Sequence, residues 1–326
     1  MIRTTRRLLL AAFAAPAIVP ARAGAQAFAA RPLTWVVPFP PGNIADATSR
    51  VLARHLGQVL GQRVAVDNRP GAGGTIGTET VVRAAADGNT LLFGSQGPLA
   101  VAPRMGINIR YDPLRDLAPV HGIGASPLII VVGRRQAWST LGEFVASARA
   151  HPEKLVYASP GVGTSPHLAA EMLQMRASLF LHHLPYVNPA QALNDIVGGR
   201  VDVTWDYPLS ALPYIGQGHL RALAVTDHTR PRAVLDVPTL AECGYPGAEL
   251  SSWAGVFAPA RTPGAVIAQL ADALGQTLLE PTVQAFFDDA AMVPWLTMGP
   301  ERLGEFVAEE QFRIAALLAR VGARPG

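Results

Sequence analysis

From residue 28 onward, short runs of β-branched and apolar residues alternate with longer segments whose apolar positions recur every three or four residues. The runs fall at 34–39, 64–68, 90–94, 128–132, 155–159, 181–186, 201–206 and 220–226, and each predicts a strand. Over 45–60, Val51, Leu52, His55, Leu56, Val59 and Leu60 share one stripe, which predicts an amphipathic helix. After 253–259 the pattern turns helical, with segments at 263–279, 281–288 and 300–321 that each open at or near a proline, a residue suited to a first helical turn. Such alternation predicts an α/β fold with largely parallel sheets. Two apolar extended runs, 126–133 and 252–260, bracket a central block with its own strands and helices. They predict two lobes joined by two crossing strands, with 28–125 and 251–326 forming lobe one and 126–250 lobe two. A cleft between such lobes is a favoured ligand site.

The first 27 residues stand apart. Arg3, Arg6 and Arg7 precede an apolar run from Leu8 to Val19, and Ala25-Gln26-Ala27 supplies an A-x-A cleavage pattern. This is the layout of a secretory signal peptide, and the run is too short for a membrane helix. The expected destination is the periplasm, by the general route or, given the Arg6-Arg7 pair, the twin-arginine route. The segment also distorts the charge. The whole chain has 27 Lys and Arg against 24 Asp and Glu. Setting aside Arg3, Arg6, Arg7 and Arg22 leaves 23 against 24, close to neutral, which removes the basic face that nucleic-acid binding needs. The single cysteine, Cys243, cannot form a disulfide within the chain, so stability must come from apolar cores.

Chemistry is concentrated in turns. After the first strand comes Pro40-Pro41-Gly42-Asn43, a stiff turn feeding a helix N-terminus, where N–H groups favour anions. Asp46 falls in the first turn of that helix, either stabilising it or ordering the cleft. A second turn, 159–167, carries two glycines, three hydroxyls and a proline before a helix at 166–175, another nest of donors. His167 beside it fits a structural role or a ligand contact. The glycines of 68–79 miss the G-x-G-x-x-G register, so that loop reads as a structural turn with an exposed Arg69. No nucleophile motif or metal-ligand cluster appears; His182 and His183 are neighbours on a strand and point to opposite faces. Asp288-Asp289 and Glu309-Glu310 read as solvated helix faces. No cofactor or metal is expected. An exported hydrolase lacks a motif to support it.

Several stretches together resemble the substrate-binding receptors of tripartite tricarboxylate transporters, the Bug receptors. They are "VVPFPPG" followed by Asp46, "VDNRPGAGGTIGTE", "ADGNTLLFGS", "YDPLRDLAPV", "LVYASPGVGTSPHLAAEM", "ALNDIVGGRVDV", "SALPYIGQGHLRALAVT", "VPTLAECGYPG" and "SWAGVFAPARTP". They run in the family's order over almost the whole mature chain. The resemblance implies a type II periplasmic binding fold with Venus-flytrap closure and a small organic carboxylate as ligand. It implies no catalysis, a monomer, and membrane permease subunits as partner; a sensor partner is the other reading. Carried onto this sequence, the ligand contacts are Phe39, Pro41, Gly42, Asn43 and Asp46, with Ser95 and Gln96, from lobe one. From lobe two they are Ser159, Gly163, Thr164 and Asp206. Three positions depart from the family pattern: Asn43 stands in place of a glycine, 187–190 lack the usual basic residue and glycines, and Tyr207 replaces a small polar residue.

Overall fold

The computed structural model describes residues 31–106 and 108–321, so the predicted signal peptide lies outside the described residues. The chain builds two sheets. The first contains β1 (Leu33–Val37), β2 (Val64–Asn68), β3 (Thr90–Ser95), β4 (Leu117–Ser126), β10 (Ser252–Pro259) and β11 (Val293–Pro294), in the order β11-β4-β10-β3-β1-β2. The second contains β5 (Ile129–Gly133), β6 (Val156–Ser159), β7 (His182–Pro185), β8 (Val203–Asp206) and β9 (Leu220–Val225), in the order β7-β6-β8-β5-β9.

Both sheets are mixed, which corrects the largely parallel expectation. β1 pairs in parallel with β2 and β3, and β6 with β7 and β8. β10 is antiparallel to β3 and β4, and β5 is antiparallel to β8 and β9. The antiparallel strands are those adjoining the crossings. A chain that leaves one sheet and later returns to it must re-enter running against the strand it left by.

In the first sheet, Trp35, Leu91 and Val256 face one core while Val36, Leu92 and Phe257 face another. Both faces are therefore buried, and the strands read as continuous apolar runs. Helices α1 (Ile44–Leu60), α7 (Gly264–Leu279) and α8 (Pro281–Asp289) contribute to the core around Trp35. Helix α9 (Pro300–Val321) and α2 (Thr75–Val82) contribute to the other. In the second sheet α3 (Leu141–Ala150) and α4 (Ser165–Ala177) join the core around Trp205 and Tyr157. Helices α5 (Pro189–Gly198) and α6 (Pro208–Gly216) close the opposite face around Ile129 and Val131.

β4 was not predicted as a strand. Pro119, Gly122 and Gly124 interrupt its apolar pattern, yet Gly124 is what lets β11 approach and Gly122 what lets the segment after β11 approach. A Cβ on Gly122 would lie 2.5 Å from the Met298 side chain, and one on Gly124 would lie 2.4 Å from the Val293 carbonyl oxygen.

The two crossings run side by side and are fastened by one buried residue. Thr226 Oγ1 accepts from the Leu128 N–H (2.9 Å) and donates to the Leu250 carbonyl (2.6 Å). Its own N–H donates to Leu128, and its carbonyl accepts from the Leu250 N–H, both at 2.9 Å. Among the described residues no helix is long and apolar enough to cross a membrane, and no group of three or more His, Cys, Asp or Glu side chains could hold a metal.

Candidate functional site

The first turn is held by a charged network. Gly42, at φ +84°, takes a backbone conformation that favours glycine. Its N–H donates to Asp46 Oδ2 (2.9 Å), while the Asp46 N–H donates to Asn43 Oδ1 (2.9 Å). Asn43 is thus the N-cap of α1. Asp46 also accepts from Arg50 Nε (3.0 Å) and Asn68 Nδ2 (2.9 Å), and Asn68 Nδ2 reaches the Phe39 carbonyl as well (3.1 Å). Burial would push the Asp46 pKa up. The hydrogen bonds from Arg50, the Gly42 N–H and Asn68 outweigh it and hold the carboxyl below its ordinary value.

The second turn is held by neutral groups. Ser159 Oγ shares a 2.7 Å hydrogen bond with His183 Nε2 and accepts from the Gly161 N–H. Thr164 Oγ1 donates to the Gly161 carbonyl (2.7 Å), and the Gly163 N–H donates to His167 Nδ1 (3.4 Å). The His167 and His183 rings lie 4.8 Å apart, and His183 stacks on Tyr157 at 4.7 Å. Burial pulls both imidazoles down to about 4, so they are neutral at pH 7.

Between the turns lies a cavity of about 420 Å³. From the first sheet's side it is lined by Phe39, Pro41, Gly42, Asn43, Ile44, Ala45, Phe93 and Ser95, and from the second by Thr164, Ser165, Asn188, Asp206, Tyr207 and Ser210. Ser252 of β10 forms part of the lining and accepts from both Ser165 Oγ and Tyr207 OH at 3.0 Å. Among the described residues no arginine, lysine or histidine lines it.

Positive potential at the cavity comes instead from helix ends. The first N–H groups of a helix have no partner within it. In α1 the Asp46 N–H is capped by Asn43, leaving those of Ile44 and Ala45. In α4 there is no side-chain cap and Pro166 has no N–H, leaving those of Ser165 and His167, of which Ser165 lines the cavity. Both ends carry the positive pole of a helix dipole. Ser95 Oγ, buried and without a hydrogen-bond partner, belongs to the same cavity.

The second turn touches the loops after β2 and β3 across the gap. A Cβ on Gly73 would lie 2.9 Å from the Val162 carbonyl oxygen, and one on Gly97 would lie 3.1 Å from that of Gly163. The glycine-rich 68–79 loop is thus a lobe contact as well as a turn, while Arg69 pairs with Asp67 at 2.8 Å.

Residues 48–323 match the family model described as the tripartite tricarboxylate transporter family receptor. The chain belongs to this family. It is 36% identical over 313 residues to protein BugT of Bordetella pertussis, covering 96% of each chain. Among solved structures it is similar to the periplasmic binding protein BugD, with a TM-score of 0.86 at 31% identity, covering 90% of this chain and 99% of that one. It is also similar to R. palustris Rpa4515 with adipate, with a TM-score of 0.87 at 29% identity, covering 91% and 99%. The two-lobe periplasmic binding fold expected from the sequence is the fold of the receptor.

Of the residues singled out beforehand, Phe39, Pro41, Gly42, Asn43, Ser95, Thr164 and Asp206 line the cavity. Four do not. Asp46 spends its carboxylate on the first turn, and Ser159 turns its hydroxyl to His183. The Gly163 N–H is held by His167, and Gln96 Nε2 donates to Glu310 at 3.2 Å. Glu309 is exposed as expected, but Glu310 is a correction. It is buried and accepts from Gln96, from Trp253 Nε1 (3.0 Å) and from Arg313 (2.7 Å). The spacing Leu303, Val307, Glu310, Ile314 put it on the buried stripe of α9, a signal that the adjacent acidic pair obscured. Ser165 belongs to the hydroxyl-rich second turn but was not among the expected ligand contacts; Ser252 and Ser210 were missed, because nothing in their immediate neighbourhoods marks them.

Proposed function

We infer that this receptor is a periplasmic protein that closes on a small organic carboxylate and delivers it to a permease of the tripartite tricarboxylate type. One observation carries the reading. The unpaired N–H groups of α1 and α4 bound a single cavity from opposite lobes, with no cation among the lining side chains of the described residues. Such an arrangement holds a carboxylate by dipoles and hydrogen bonds. The adipate held by a 29%-identical relative agrees with it. In this reading Phe39, Pro41, Gly42, Asn43, Ser95, Thr164 and Asp206 contact the ligand, and Asp46, Gln96, Ser159 and Gly163 shape the turns. The lobes divide at 125/126 and 250/251, and the crossings beside Thr226 act as the hinge. The test is a native mass spectrum of the mature protein purified from its host. A copurifying carboxylic acid that also raises the melting temperature by binding the folded state is the expected result. A cationic or neutral ligand in that role would overturn the reading.

A further inference from the structure

Four helices begin at the cavity, and they are not equivalent. α1 and α4 present open N–H groups. α5 is already closed: Asn188 Oδ1 accepts from the Ala190 N–H, the Gln191 N–H donates to the Asn188 carbonyl, and Pro189 has no N–H. α6 already has a carboxylate of its own. Asp206 Oδ1 accepts from the Tyr207 N–H at 2.7 Å and from Ser210 Oγ at 2.9 Å, and Oδ2 has no hydrogen-bond partner among the described residues. The cavity therefore holds both open N–H groups, which attract an anion, and a fixed acid with a free oxygen, with no cation among its described lining residues to balance it. Much of the remaining lining is apolar, including Phe39, Ile44, Phe93, Leu193 and Met292.

Resting on the carboxylate reading above, we propose that the cleft selects a monocarboxylate with an apolar body that also carries a hydrogen-bond donor, a hydroxyl or an ammonium group, directed at Asp206. A second carboxylate in place of that donor meets like charge in a partly desolvated site, where repulsion is strong. A donor there satisfies the free Oδ2 by a charge-assisted hydrogen bond. The groups facing Asp206 are the Tyr207 N–H, Ser210 and the uncharged lining of the cavity. Burial pushes the acid up to about 6, against the hydrogen bonds from Tyr207 and Ser210. The discrimination therefore weakens as pH falls through that value.

The test is titration of the ligand-free protein at pH 7.5 with matched pairs: 6-aminohexanoate against adipate, and 4-hydroxybenzoate against terephthalate. In at least one pair the donor-bearing member binds at least tenfold more tightly. In Asp206→Asn the gap narrows to about threefold or less, through tighter binding of the diacid. If that variant does not fold, the native protein at pH 5.5 serves instead, read on the pair of 4-hydroxybenzoate and terephthalate, where the gap narrows while both terephthalate carboxylates stay largely ionised. Diacids that bind as tightly as their partners at pH 7.5, or an equal loss for both members in Asp206→Asn, overturn the proposal and leave the carboxylate reading standing. If 4-hydroxybenzamide binds as well as 4-hydroxybenzoate, the carboxylate reading itself fails. No binding by any of the four acids at millimolar concentration overturns the proposal.

Discussion

The turns at 39–43 and 159–164 do the same work with different chemistry. Each follows the C-terminal end of a strand, and each delivers the open end of a helix to the cavity. The first is fixed by an ionised carboxylate with an arginine and an asparagine around it. The second is fixed by hydroxyls and neutral imidazoles. A charged brace tolerates any pH above the low pKa of Asp46. The imidazole brace needs His167 Nδ1 as an acceptor for the Gly163 N–H and is weakened when that nitrogen gains a proton. The positioning of donors is thus shared between the lobes, while sensitivity to the medium belongs to one of them.

The largest effect is expected from breaking the charged brace. Asp46→Ala removes the acceptor for the Gly42 N–H and leaves Arg50 and Asn68 without their common partner. Removing one member of such a network costs roughly 2–3 kcal/mol, a loss measurable by denaturant titration. Ligand affinity falls more than tenfold with it. The next effect separates closure from stability. Gly97→Ala places a methyl group 3.1 Å from the Gly163 carbonyl oxygen across the gap. Ligand affinity is expected to fall several-fold while the ligand-free melting temperature stays within about 1 °C of the parent, a change below the usual ~0.5 kcal/mol spread of neutral substitutions.

The imidazole brace is tested by pH. His167 and His183 fall from an ordinary 6.5 to about 4 on folding. Between those values the folded chain binds fewer protons than the unfolded one, so these residues contribute stability that is lost as pH falls from 6.5 toward 4. Asp206 has the opposite sign. Its carboxyl rises from 3.8 to about 6, so its contribution weakens as pH rises through that window. Two histidines outweigh one aspartate, and melting temperature is expected to drop on acidification. The double variant His167→Asn, His183→Asn should remove the drop and expose the shallow opposite slope of Asp206. The smallest effect is Glu310→Gln, which keeps one acceptor for Gln96 and Trp253 but gives up the charge beside Arg313. It should cost about 1 kcal/mol and leave affinity nearly unchanged.

Most strands were legible because both faces of each sheet are buried, so the apolar runs stand out without alternation. The predicted bounds of β1, β3 and β8 lie within two residues of the observed ones. β4 was hidden by glycines chosen for close packing rather than for strand propensity. At the site, the first turn was readable from its prolines and its glycine, while the capping role of Asn43 came only with the structure. The role of Asp46 was readable only as two alternatives, since its partner Asn68 lies 22 residues away. The cavity face of Ser252, the fastening of the crossings by Thr226 and the reach of Glu310 to Gln96, 214 residues distant, depend on contacts between lobes or between distant segments. Local sequence carries no signal for them.

The most direct test is a crystal structure of the receptor with its copurified ligand. A carboxylate between the N–H groups of Ile44 and Ala45 and that of Ser165, within reach of Ser95 and Thr164 and paired with no arginine or lysine, is the predicted result. A carboxylate bound outside that gap, or neutralised there by a cationic side chain, would contradict it.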